Sequence, residues 1–110
     1  MKLFLVGSAL VALLAGVDYG PDFKPDPRDN GPGAIDTSKF PDAQKKNYEM
    51  YSVKCAKCHP LARSVNARFG AQEWKRYMKK MIRRPNSGIN EEQAANIYEF
   101  LKYYSAQLGL

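Results

Sequence analysis

Histidine occurs once in this 110-residue chain, tryptophan once and cysteine twice. A zinc site needs a full tetrahedral set of ligands, and one His with two Cys cannot fill it unless Asp or Glu helps, for which no motif is present. A disulfide framework is excluded as well. Cys55 and Cys58 stand three apart, and a bridge across so short a loop has poor geometry and closes almost no chain. Long apolar runs are also missing. The one apolar run, Leu3 to Leu14, is broken by Gly7 and Ser8 and falls well short of the ~20 residues that span a bilayer as a helix. No stretch alternates convincingly as a strand, and there are no internal repeats.

What is present divides the chain into three parts. Lys2, the apolar run, the small residues Ala15 and Gly16 and the polar stretch from Asp18 have the layout of a secretory signal peptide. Residues 1–17 are therefore expected to be removed, with the cut between 15 and 20. The mature protein is expected in the periplasm, with no stable membrane insertion. Residues 18–41 hold five of the seven prolines, which rules out helix interior and central strand. This is an extended arm, either a solvated leader or a strap anchored by Tyr19, Phe23, Ile35 and Phe40. Residues 42–110 form one small domain.

The domain reads as all-α, with three helices. The first starts just after Pro41, where a helix N-terminus tolerates proline, and runs from Asp42 to about Val53 with Ala43, Asn47, Met50 and Tyr51 on one stripe. The second covers about Ala71–Arg84. Its Trp74, Tyr77, Met78 and Met81 recur at i, i+3, i+4 and i+7, which puts them on one face. Pro85 ends it, and Ser87-Gly88 makes the turn. The third begins at Asn90, with Gln93 in capping-box position and Glu91 and Glu92 at the positive end of the dipole. Ala94, Ile97, Tyr98, Leu101 and Tyr104 form its buried stripe, running on towards Leu108.

Cys55-Ala56-Lys57-Cys58-His59 carries the chemistry. Two thiols separated by two residues can reach both vinyl groups on one edge of a haem and form thioethers. The adjoining His59 can then bind the iron, and the pattern is the attachment site of c-type haem. A thioredoxin-like dithiol also uses C-x-x-C, but in an α/β setting that this chain lacks. With no second His, bis-histidine ligation within one chain is excluded. The sixth iron ligand is then a methionine. Met50 is read as core, which leaves Met78 and Met81, each of which could equally be a packing residue.

The order of signal peptide, short helix, C-x-x-C-H, Trp-containing helix and terminal helix resembles the small monohaem c-type cytochromes (class I-like) of bacterial respiration. Glu73-Trp74, Met81-Ile82, Pro85 and Ser87-Gly88-Ile89 look like the tail of those found in anaerobic and metal-reducing bacteria. The resemblance covers about residues 42–106; Pro60, directly after the histidine, departs from mitochondrial-type sequences. It implies one covalent haem c per chain on Cys55 and Cys58, and His59 as proximal iron ligand. It implies Met81 as distal ligand with Met78 as alternative. Trp74 and Tyr77 are expected to pack beside the porphyrin or to be ordinary core aromatics.

Charge is patterned along the chain, whose net charge is +6. Between Ala43 and Arg84 twelve Lys and Arg stand against Glu49 and Glu73, whereas the arm up to Asp42 carries six Asp against three basic residues. Basic density around the haem motif suits docking to redox proteins with an acidic surface, or simply solvates the helix faces. Nucleic acid is not expected for an exported chain. The function expected is one-electron transport in respiration. The alternative is a haem-based sensor or gas-binding protein with a displaceable sixth ligand. Enzyme activity is not expected, since no histidine remains as a distal acid–base group.

Overall fold

The computed structural model describes residues 18–110, so the signal-peptide reading of residues 1–17 lies outside the described residues. Four helices and no strand occur among the described residues: α1 Asp42–Cys55, α2 Leu61–Val65, α3 Ala71–Arg83 and α4 Glu91–Gln107. The chain is all-α in its described part, with one helix more than the three expected. Its extra member, α2, has only five residues, too few for a periodic pattern, and starts immediately after Pro60.

α4 is the centre of the molecule and packs against both α1 and α3. Its start is set locally: the Asn90 side chain accepts from the Gln93 N–H at 2.8 Å, and Gln93 Oε1 accepts from the Asn90 N–H at 3.1 Å. That reciprocal cap satisfies donors that a helix N-terminus otherwise leaves unpaired. The buried face includes Ala94, Ile97 and Leu101, and also Phe100 and Ser105. Leu108, expected in the stripe, is 45% exposed. A helix wedged between two others needs a wider apolar arc than one stripe, so Phe100 turns inward while the last turn runs past the core.

Phe100 is wholly buried in an aromatic cluster. It stacks on Tyr51 at 5.3 Å between centroids, with Tyr48 at 5.2 Å, Tyr104 at 6.2 Å and Phe40 of the arm at 6.4 Å. Such pairs add about 0.5–1.5 kcal/mol each beyond their buried area. In α1 the inward aromatics are Tyr48 and Tyr51, while Ala43, assigned to the stripe, is exposed. The buried Tyr51 hydroxyl is paired with Ser64 of α2, which fixes that short helix to the core.

The arm lies against this framework. Ile35 donates its N–H to Tyr48 Oη at 3.2 Å, and Phe40 meets Tyr103 edge-on at 4.9 Å. A 3-10 turn, Pro27–Asn30, is capped by Asp26 and Asp29 and rests on α2. Arg63 of α2 donates to both carboxylate oxygens of Asp29, at 2.9 and 2.8 Å. The Arg63 guanidinium holds the Asp29 carboxyl below the usual carboxylate range, and Arg28 does the same for Asp26. A carboxyl depressed by folding stabilises the contact above its ordinary pKa and loses that contribution as pH falls through the lowered value. Arm docking is therefore expected to hold from neutral pH to about 4 and to weaken below it. Loss of the Arg63 Nε–H resonance on acid titration by NMR, before the helices melt, is the measurement that checks this.

Candidate functional site

The C-x-x-C-H pentapeptide sits where α1 stops. Pro60 disfavours helical backbone at the residue before it, so the helix that ends at Cys55 cannot run through His59. Residues 56–58 form a turn, and Pro60 then serves as N-cap of α2. The motif is thus a bend between two helices. It opens onto a cleft of about 850 Å³, within the range of ~300–1,000 Å³ usual for cofactor sites.

Cys58, His59, Trp74, Tyr77 and Met81 all line that cleft. Phe69 completes an aromatic wall, meeting Trp74 edge-on at 4.9 Å, and Trp74 meets Tyr77 in the same way at 5.6 Å. Two of the expected residues do not line it. Cys55 is half-buried against the core, and Met78 is buried in the core at 4% exposure. The α3 stripe therefore divides. Met78 is confined to the core, Tyr77 and Met81, four apart, border the cleft, and the buried Trp74 belongs to the core while also lining the cleft wall.

The ring nitrogens of His59 have distinct surroundings. Nδ1 lies 3.4 Å from the Pro60 carbonyl, and Nε2 lies 3.4 Å from Tyr77 Oη. The tautomer protonated at Nδ1 satisfies both contacts: Nδ1–H donates to the carbonyl, and the tyrosine hydroxyl donates to Nε2. Nε2 then carries the ring's in-plane lone pair, which could bind a metal once the Tyr77 hydroxyl moves aside. Burial pushes the imidazole pKa below its ordinary value, with nearby Arg63 adding to the effect and the Pro60 carbonyl and Asp29 opposing it. The shift favours the neutral imidazole, the form that ligates. Burial pushes the Cys55 thiol up to about 12, with Cys58 adding to the shift.

Several contributors to the cleft, Arg63, Tyr19, Phe23 and Phe69 among them, were not assigned from the sequence. Arg63 had no readable signal, because α2 is too short to show a face. Tyr19 and Phe23 were recognisable as anchors, but nothing in the linear chain tied them to the motif. Lys24, Lys80 and Arg84 bring further positive charge to the rim.

No family model, curated protein or solved structure matches this chain. What the cleft can bind is constrained by its own side chains. Among the described residues no three His, Cys, Asp or Glu side chains gather into a bare-metal site. The donors bordering the cleft include one imidazole, one thioether and one thiol set in aromatic walls, with the Asp22 carboxylate on the arm side. That set fits a flat apolar cofactor whose metal arrives with its own equatorial nitrogens. Cys55 fits least well, because its thiol faces inward. Among the described residues no helix is long and apolar enough to cross a membrane.

Proposed function

We propose that the chain is an exported monohaem c-type cytochrome that carries single electrons between redox partners in the periplasm. The observation that carries this reading is that Cys58, His59 and Met81 border one aromatic-lined cleft beside a C-x-x-C-H motif. His59 would supply Nε2 as proximal ligand and Met81 its thioether as the sixth. Cys58 and Cys55 would hold the cofactor covalently, Cys55 after turning its side chain out of the core edge. Haem bound in this way supplies a one-electron ferric/ferrous couple, whose potential His/Met ligation raises. The chain's own share is to keep the imidazole neutral, to hold the thioether at the cleft wall and to exclude water with Trp74, Tyr77 and Phe69.

The test is an absorption spectrum, oxidised and reduced, with a pyridine haemochrome, on protein made alongside a haem-attachment system. One haem per chain that stays attached on denaturation is expected, and the double variant Cys55→Ala/Cys58→Ala is expected to release it. A chain that emerges without covalent haem overturns the proposal. Immediate, stoichiometric binding of carbon monoxide by the reduced protein would move the function to ligand sensing.

The exposed basic face of α3, with Lys75, Arg76, Lys79 and Lys80, supports an acidic partner. Electron exchange with an acidic redox protein is expected to slow as ionic strength rises, because screening weakens steering between opposite charges. Stopped-flow kinetics across a salt series checks this, and salt-independent rates would remove the steering role.

A further inference from the structure

The arm has no part of the C-x-x-C-H motif, yet it borders the same cleft through Tyr19, Phe23 and Arg28. The rings of Tyr19 and Phe23 lie 4.9 Å apart and are half-buried. Neither belongs to the main core. They form a small aromatic pair beside the cleft.

The arm is held in place from α2, the helix that follows His59. Besides its paired hydrogen bonds to Asp29, Arg63 donates from Nη2 to the Lys24 carbonyl at 2.7 Å, and its guanidinium stands over the Phe23 ring at 5.3 Å. Asn66, just past the end of α2, reaches the Arg28 and Pro32 carbonyls with Nδ2, both at 3.1 Å. Gly31 makes room for this, since a β-carbon there would run into the Asn66 amide. A charge-assisted, two-pronged contact and an amide clamp are more than a solvated leader needs.

We propose that Tyr19 and Phe23, latched by Arg63 and Asn66, are part of the haem-binding site and form its second aromatic wall. This rests on the haem reading above. The partner they fit is the flat apolar surface of a porphyrin. Arg63 links the two functions, because one short helix positions both the histidine before it and the arm across it. Covering the cofactor in this way limits water access, and burial is one of the levers that raises a haem potential.

Hydrogen–deuterium exchange of residues 18–35, read by mass spectrometry, tests this together with redox titration. The haem-bearing wild type is expected to exchange these amides about tenfold more slowly than the Cys55→Ala/Cys58→Ala chain, as a local opening made less favourable by the cofactor. Arg63→Gln and Asp29→Asn are each expected to remove most of that protection while one covalent haem remains. Phe23→Ala, which changes no charge, is expected to lower the midpoint potential. A haem-bearing chain whose arm exchanges no more slowly than the haem-free chain, or whose potential ignores Phe23→Ala, overturns this inference alone. A wild-type chain without covalent haem overturns the haem reading and this inference with it.

Discussion

Met81→Ala is expected to abolish the weak red charge-transfer band that marks an iron–thioether bond in the oxidised protein, while Met78→Ala retains it. The two side chains are three residues apart on α3 but have different neighbours. Met81 borders the cleft, and Met78 is buried among core residues. Their stability effects should be opposite in rank to their spectral effects. Truncating a buried methionine costs about 2–5 kcal/mol, through lost transfer energy and the cavity left behind. Met78→Ala should therefore lower the denaturation midpoint substantially in the apo chain, and Met81→Ala much less. Loss of the band in Met78→Ala, with retention in Met81→Ala, would transfer the ligand role to Met78. Both variants would be compared by visible spectroscopy and by urea unfolding.

Phe100→Ala is expected to be the most damaging single change in the helical core. The ring is fully buried and touches aromatics from α1, α4 and the arm. Removing a buried phenylalanine costs about 3–5 kcal/mol, a large share of the ~5–15 kcal/mol that holds a domain of this kind together. The variant is expected to be largely unfolded or strongly destabilised when no cofactor is attached, as read by far-UV circular dichroism during urea titration. Leu108→Ala is the matched control. Its side chain is 45% exposed, and a change there is expected to stay within about 0.5 kcal/mol. Equal effects at the two positions would mean that the α4 arc has been placed wrongly.

These contrasts mark where linear reading stops. These helix boundaries were legible because they depend on neighbours in sequence: the starts at Asn90 with Gln93 and at Pro41 before Asp42, and the stop before Pro85. The stripe on α3 was legible for the same reason, since a spacing of three and four residues sets one face. Which part of that face meets the core and which the cleft was not legible. Trp74, Tyr77, Met78 and Met81 span an arc wide enough to serve both, and only the position of α4 divides it. Phe100 was missed because a single stripe was assumed for a helix that contacts two others. Residues as short as α2, and the charge pair between Asp29 and Arg63, leave no periodic trace at all.

For the motif on which the functional reading rests, the sequence alone determined the chemistry on offer. Two thiols at fixed spacing, one adjoining imidazole and no other histidine restrict what a cofactor could be and what its sixth ligand could be. Those are properties of composition and short-range spacing, and folding cannot alter them. The tertiary structure decided which side chains share a space. It put Cys58, His59 and Met81 on one cleft, sent Met78 into the core, turned Cys55 inward and brought Tyr19 and Phe23 across from the arm. The reason is physical: contacts between segments far apart in sequence depend on how four helices and an arm bury their apolar surface together, and no local pattern encodes that outcome.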